Sequence, residues 1–203
     1  MKLYFAPKAC SLSPHIVLRE LGLPFELIRV NNKTKATADG KDFRDINPKG
    51  YVAALVLDNG QVLTEGPAIV QYLADQVPGN SLAPANGTWE RVRLQEMLNF
   101  ISSEIHGGCG PLFNPDLPEP VKEIFRQKLS KRLDYLNKDL AQKDHLLGNF
   151  GLADAYLFTV LKWLPFLNID IQHWPHLAAF VERVEARPSV QAAMAAEDAT
   201  QPV

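Results

Sequence analysis

Cys10 is the first residue of this sequence whose type and position could do chemistry. It lies in a turn between a predicted strand at residues 2–5 and a predicted helix that begins at Ser13 and Pro14. The amino-terminal end of a helix lowers the pKa of a nearby thiol, and the thiolate is the nucleophilic form. Cysteine is also a common small buried residue, and on the residues alone packing is the favoured interpretation of Cys10.

A second candidate site lies at Glu65 and Gly66, where a hairpin is expected to lead into a helix. Asn59-Gly60 between two apolar runs is a strong hairpin signal, and Thr64 is the expected N-cap of the helix that follows. Backbone N–H groups at a helix start bind carboxylates, and the Glu65 carboxylate could bind an ammonium group. The ligand that fits is an amino-acid end, and an ordinary helix start is the equal alternative.

His106 is the third candidate. Asn99, Ser103 and His106 recur at i, i+4 and i+7 and would share one stripe of an α-helix, which Gly107 and Gly108 are expected to end. Histidine titrates near neutral pH, so it could tune the protonation of another group. A polar stripe of this kind is more often solvated surface.

Composition excludes several classes of function. The chain has 203 residues and a formal net charge of −2, so it offers no basic surface to nucleic acid or to an anionic membrane. It contains no run of ~18 apolar residues, and its first residues lack the pattern of a signal peptide. Two cysteines without a C-x-x-C motif or a cluster of zinc spacing indicate a reducing compartment and no metal site, so we expect a cytoplasmic protein.

Two domains are expected from the order of the elements. A β-α-β unit over residues 2–30 is followed by a polar loop, the hairpin and its helix, which together form a domain over residues 1–78. Residues 79–87 are rich in Pro, Gly, Asn and Ser and are typical of a linker. Residues 88–203 show only helical periodicity, including a segment at 154–164 that is apolar on almost all faces.

Four segments carry a resemblance that covers both domains. The segments APKACSLSPHIVLREL, INPKGYV, LTEGPAIVQYLAD and ADAYLF resemble the bacterial beta class of the cytosolic glutathione transferases. The resemblance implies a thioredoxin-like N-terminal domain with a mixed four-stranded sheet and an all-α C-terminal domain. It also implies a homodimeric detoxification enzyme that uses glutathione as co-substrate, needs no other cofactor and takes a small hydrophobic electrophile.

The resemblance also assigns roles to residues. Cys10 would bind the glutathione sulfur or form a mixed disulfide with it, and His106 would hydrogen-bond the Cys10 sulfur. The expected glutathione-binding set is Cys10, Lys35, Val52, Glu65, Gly66, Asn99, Ser103, Glu104 and His106. Catalysis is assigned to Cys10 and His106.

Within this set the expected contacts follow the charges of glutathione. Lys35 would bind the glycine carboxylate, Glu65 and Gly66 the γ-glutamyl ammonium and carboxylate, and the Val52 backbone the cysteinyl amide. Glu104 would make its contact across a dimer interface.

Five further side chains have open roles. Tyr4 and Ser11 are alternative hydroxyls, because other classes of the family activate the thiol with Tyr or Ser. Cys109 is expected to pack, and a disulfide with Cys10 under oxidation is the alternative. Phe113 and Trp163 are candidates for the electrophile pocket.

The sequence departs from the family pattern at three positions. Ala53 stands where the family has a cis-proline, which leaves open whether the Val52–Ala53 bond is cis. Gly107 replaces a lysine that often follows the histidine. Gly151 replaces the Ser or Thr of a capping box with Asp154, at an expected cost of a few tenths of a kcal/mol.

Three functions are compatible with these residues. The first is glutathione transfer to soft electrophiles such as halonitroarenes. The second is thiol–disulfide exchange or peroxide reduction through a Cys10–glutathione mixed disulfide. The third is a non-catalytic relative that binds glutathione or another ligand, which Ala53 and Gly107 favour and Cys10, Glu65 and His106 oppose.

Overall fold

A computed structural model describes residues 1–203 and divides them into two compact units. The first unit consists of residues 1–80 together with 186–203, and the second consists of residues 81–185. No helix in the chain combines the length and the apolar character needed to cross a membrane.

The first unit contains the predicted mixed four-stranded sheet. Its elements are β1 (Lys2–Phe5), α1 (Leu12–Glu20), β2 (Glu26–Arg29), α2 (Phe43–Ile46), β3 (Ala54–Val56), β4 (Val62–Thr64), α3 (Gly66–Asp75) and α9 (Pro188–Ala199). The strand order is β2-β1-β3-β4. Strand β1 is parallel to β2 and antiparallel to β3, and β3 is antiparallel to β4. This topology confirms the thioredoxin-like fold class.

The hairpin forms where the Asn-Gly signal predicts it. Leu57 N–H donates to Gln61 O at 2.9 Å across the turn, and Gly60 has a φ of +82°, which glycine adopts without a Cβ clash. The helix after the hairpin differs from the prediction, because Thr64 is still paired in the sheet with Ala54. The chain changes from strand to helix at Glu65, which takes the N-cap position instead of Thr64.

The first helix also begins two residues earlier than predicted. Helix α1 starts at Leu12, and Ser11 rather than Ser13 takes the N-cap position. The Ser11 hydroxyl does not cap the helix, because it is turned back to the Ala6 backbone.

The last helix, α9, packs in the first unit, although its sequence pattern assigned it to the all-helical domain. Its buried residues Val190, Ala193 and Glu197 lie against α1, and His15 Nδ1 lies 3.0 Å from Glu197 Oε1. Periodicity identifies the face that a helix buries, but it does not identify the surface that covers this face. The division of the chain by packing therefore differs at its end from the division by element type.

The second unit is all-helical. Its elements include α4 (Trp89–Phe100), a π-helix (Ile101–His106), α5 (Gly107–Cys109), α6 (Glu119–Asp139), α7 (Leu152–Leu161) and α8 (Pro175–Glu185). All ten residues of α7 are buried, as its apolar pattern predicts. The prediction that Gly107 and Gly108 end the helix was wrong, because the chain continues through them as α5.

The start of α7 explains the glycine at position 151. A Cβ on Gly151 would lie 2.8 Å from the carbonyl oxygen of Leu82, which also accepts a hydrogen bond from Leu152 N–H at 3.2 Å. Half of the capping box is kept, because the Asp154 carboxylate accepts from Gly151 N–H at 2.9 Å. Its other oxygen accepts from Leu146 N–H at 2.9 Å. Glycine is therefore required here by close backbone approach.

Candidate active site

Cys10 lies in the turn that precedes α1, as predicted, and is half-buried. Its thiol donates a hydrogen bond to the carbonyl oxygen of Val52, with a distance of 3.2 Å between Sγ and the oxygen. The Val52–Ala53 peptide bond that follows this carbonyl is cis. The fold thus brings the first turn of the chain onto the segment that leads into β3.

The pKa of the Cys10 thiol differs from the expectation. Burial raises it to about 11, and the Glu65 carboxylate acts in the same direction. The backbone N–H groups of Cys10, Ala53 and Ser11 act in the opposite direction. The start of the helix does favour the thiolate, but burial outweighs it in the free protein.

Two alternative hydroxyls, those of Tyr4 and Ser11, have other partners within the first unit. Tyr4 donates from its hydroxyl to Asp39 Oδ2 at 3.1 Å, and burial raises its pKa to about 12. The Ser11 hydroxyl lies 3.2 Å from both the nitrogen and the oxygen of Ala6. The Ser11 hydroxyl therefore stabilises the turn that carries Cys10, and the Tyr4 hydroxyl is bound to the Asp39 carboxylate.

Glu65 lies at the sharp change from β4 to α3. Its φ of +71° is unusual for a residue with a side chain, and such conformations cost about 1–3 kcal/mol and cluster at binding sites. The Glu65 carboxylate forms an ion pair with Lys49 Nζ, which also donates to Thr64 Oγ1 at 3.0 Å. Gly66 is the first helical residue, so its amide is among those that a helix leaves without an intrahelical partner.

Contacts within the first unit fix the positions of Lys35 and Val52. Lys35 has a φ of +66°, donates from its N–H to Asn31 O at 2.8 Å, and accepts from Phe43 N–H at 2.8 Å. Val52 is 5% exposed and belongs to the apolar cluster around Tyr4. Their main-chain positions are therefore fixed by contacts within the first unit.

His106 lies at the end of the π-helix in the second unit. Its Nδ1 lies 2.7 Å from the Tyr156 hydroxyl, and its ring packs edge-to-face on Trp163 with centroids 4.8 Å apart. Trp163 packs in the same manner on Phe113 at 5.8 Å. The histidine thus belongs to an aromatic cluster of the helical unit.

Contrary to the prediction, Asn99 and Ser103 do not share an α-helical stripe with His106. That interpretation assumed 3.6 residues per turn, whereas Ile101–His106 is a π-helix with a wider turn. Ser103 donates from its hydroxyl to Asn99 O at 3.0 Å, and Glu104 forms an ion pair with Arg132 at 2.8 Å. No three His, Cys, Asp or Glu side chains are grouped so that they could hold a metal ion.

Family models match most of the chain. Residues 9–76 match the model described as the glutathione S-transferase N-terminal domain, and residues 100–188 match that of the C-terminal domain. Glutathione S-transferase GstA of Escherichia coli O157:H7 is 47% identical over 199 residues, which cover 97% of this chain and 98% of that protein. The chain belongs to the glutathione S-transferase family.

Solved structures place this transferase among bacterial members. A beta-class glutathione S-transferase of Sphingomonas chungbukensis matches with a TM-score of 0.94 and 44% identity, covering 98% of this chain and 100% of that chain. A sphingomonad glutathione S-transferase complexed with glutathione matches with a TM-score of 0.95 and 44% identity over the same shares. The resemblance to the beta class is thereby confirmed.

Two site neighbours of this glutathione S-transferase were not predicted from its sequence. Lys49, the partner of Glu65, lies in a predicted turn of the segment INPKGYV, and nothing local relates it to a residue sixteen positions later. Tyr156, the partner of His106, lies in ADAYLF. Its hydroxyl on an otherwise apolar helix was the available signal, since a buried tyrosine normally needs a hydrogen-bond partner.

Proposed function

We propose that this glutathione transferase conjugates reduced glutathione to soft electrophiles of the halonitroarene type, with Cys10 near or bonded to the glutathione sulfur. The observation that carries the proposal is the position of the Cys10 sulfur, 3.2 Å from the Val52 carbonyl oxygen. The backbone N–H groups of Cys10, Ser11 and Ala53 act to lower the pKa of this thiol, because they favour a negatively charged sulfur.

Glutathione would bind the first unit through its charges. Glu65 would take the γ-glutamyl ammonium, and the amide of Gly66 would bind the adjoining carboxylate. Lys35 would bind the glycine carboxylate, and the backbone of Val52 would pair with the cysteinyl amide. Because Lys49 pairs with Glu65 in the free protein, the arriving ammonium would have to share or displace it.

The helical unit would contribute His106, which we propose hydrogen-bonds the Cys10 sulfur and tunes its ionisation. Asn99, Ser103 and Glu104 would contact glutathione, Glu104 in a neighbouring subunit of a homodimer. Glu104 is paired with Arg132 within its own unit, so its contact would extend an existing ion pair. These roles are supported by the resemblance of the sequence to the beta class.

The sphingomonad relative complexed with glutathione supports glutathione as the co-substrate. No other cofactor is proposed. We further propose a cytoplasmic homodimer, whose mass sedimentation equilibrium would measure.

Initial rates with a chromogenic halonitroarene test the proposal. We expect Cys10→Ala and His106→Asn each to lower kcat/KM at least about tenfold, since removing one group that stabilises developing negative charge costs roughly 10²–10³ in kcat. Cys109→Ala is the matched control, because it removes the other, fully buried thiol. Full activity of Cys10→Ala would transfer the catalytic role to another group.

Thiol–disulfide exchange is the second candidate, because Cys10 is a half-buried cysteine that forms no disulfide and precedes the first turn of a helix. Cys10–SH would react with oxidised glutathione to give the Cys10–glutathione mixed disulfide and one reduced glutathione, so the electrons balance. Mass spectrometry of the intact protein after exposure to oxidised glutathione would detect this adduct. Binding of glutathione in calorimetry without an adduct and without turnover would instead indicate a non-catalytic relative.

A further inference from the structure

The segment that carries His106 has an unusual backbone. Helix α4 gives way after Phe100 to six residues of π-helix, and Gly107 N–H donates to the carbonyl of Ser102, five residues earlier. A Cβ on Gly107 would lie 3.3 Å from that carbonyl oxygen, which is a tight contact. Single π-helical turns inside α-helices occur frequently at functional sites, because they redirect side chains.

Tyr156 holds the ring of His106 from the centre of the helical unit. Its side chain is 2% exposed in the middle of α7, and its hydroxyl reaches His106 Nδ1 at 2.7 Å. On another side Trp163 packs edge-to-face against the ring with centroids 4.8 Å apart. A short hydrogen bond and an aromatic contact together fix both the rotation and the position of the imidazole.

The direction of this hydrogen bond follows from the chemistry of the two groups. A phenol is a good O–H donor, and the unprotonated nitrogen of a neutral imidazole is a better acceptor than a phenol oxygen. Tyr156 therefore donates to Nδ1 of His106. Since a neutral imidazole carries one proton, that proton lies on Nε2.

We propose that Tyr156 is a positioning residue that fixes His106 in the tautomer with its proton on Nε2. In this tautomer His106 offers an N–H donor to the Cys10 sulfur. This inference rests on the proposed function, in which His106 hydrogen-bonds the thiol sulfur. A donor stabilises a thiolate but does not remove the proton from a thiol. His106 then acts as a hydrogen-bond donor that favours ionised sulfur, and the proton leaves to solvent.

Another histidine of the same chain is an internal comparison. Arg19 Nε donates to His15 Nε2 at 2.9 Å, and His15 Nδ1 faces Glu197 Oε1 at 3.0 Å. Because arginine is always a donor, neutral His15 must carry its proton on Nδ1. The two residues are thus expected to show opposite tautomers in one spectrum.

Long-range ¹H–¹⁵N correlation spectra of the folded protein, with the signals assigned through His106→Asn, test the proposal directly. We expect protonated Nε2 for His106 in the wild type and a mixture of tautomers in Tyr156→Phe. The matched control is Tyr135→Phe, which removes the hydroxyl of a tyrosine that is 53% exposed. A proton on Nδ1 in the wild type, or an unchanged tautomer in Tyr156→Phe, would overturn the inference.

Kinetics supply the second readout. Tyr156→Phe should lower kcat about three- to tenfold, the effect of losing one hydrogen bond, shift the pH dependence of kcat, and leave KM for glutathione unchanged. A change confined to KM would contradict a positioning role. If His106→Asn were fully active, the proposed role of His106 would fail, whereas the wild-type tautomer would still decide the role of Tyr156 by itself.

Discussion

Replacing the buried carboxyl group of Glu197 should change how stability depends on pH. Glu197 is 3% exposed and lies against His15, which is fully buried. Burial raises the pKa of Glu197 to about 8 from its ordinary value of 4.5 and lowers that of His15 to about 3. Glu197→Gln keeps an oxygen that can accept from His15 Nδ1–H and removes the ionisable group.

The direction of the pH dependence follows from the raised pKa of Glu197. The unfolded chain ionises this carboxyl group near pH 4.5 and the folded protein only near pH 8, so wild-type stability falls as the pH rises between these values. At 1.36 kcal/mol per pH unit this loss amounts to about 4 kcal/mol between pH 5 and pH 9, as an upper bound. The lowered pKa of His15 has the opposite effect. It reduces the free energy of unfolding as the pH falls below 6.5, and it does so in both wild type and Glu197→Gln.

The difference between two pH values is the diagnostic quantity, rather than stability at one pH. The Lys8 N–H group also donates to the Glu197 carboxylate, and an amide that accepts from His15 turns its NH₂ group towards this donor. Two donors then face each other, which lowers the free energy of unfolding of Glu197→Gln by the same amount at every pH. Only removal of the charge produces a pH-dependent gain.

Thermal unfolding at fixed protein concentration from pH 5 to pH 9 measures this gain. A domain of this size shifts its midpoint by roughly 2–4 °C per kcal/mol, so the midpoint of Glu197→Gln should rise relative to wild type by up to roughly 8–16 °C over this range. Glu182→Gln, at an exposed position, should follow the wild type. Parallel curves for wild type and Glu197→Gln would refute the reasoning.

Three other substitutions have defined outcomes. Asp154→Ala leaves two backbone N–H groups without their acceptor and should cost about 2–4 kcal/mol in thermal or urea unfolding, whereas Asp154→Asn should cost about half as much. Gly151→Ala places a Cβ 2.8 Å from a backbone carbonyl oxygen and should destabilise by about 1–3 kcal/mol, whereas Gly110→Ala, with open space around it, should be neutral. Glu65→Gln removes a charge that raises the pKa of Cys10, so alkylation of this thiol should begin at lower pH than in the wild type. An unchanged pH profile would contradict the assigned cause.

Local patterns predicted the first unit well because its elements depend on neighbouring residues. The strand at residues 2–5 has the predicted bounds, and the Asn-Gly turn forms the predicted hairpin. The place of α9 and the π-helix before His106 could not be predicted in this way. The first depends on which distant surface covers an apolar face, and the second violates the 3.6-residue period that every helical prediction assumes.

The candidate site also combines features that local patterns predict with features that depend on distant residues. The position of Cys10 before α1 is a local property, whereas its pKa depends on burial and on the Glu65 carboxylate, which distant parts of the chain supply. Glu65 is already paired with Lys49 in the free protein, so the pKa of Cys10 depends on how much further a bound cation screens this carboxylate. Under the proposed function, an ammonium group that binds at Glu65 beside Lys49 would therefore do more than hold the ligand, whereas one that replaces Lys49 would leave the pKa of Cys10 unchanged. In the first case the ammonium group would screen the Glu65 carboxylate and lower the pKa of the Cys10 thiol from its raised value in the free protein.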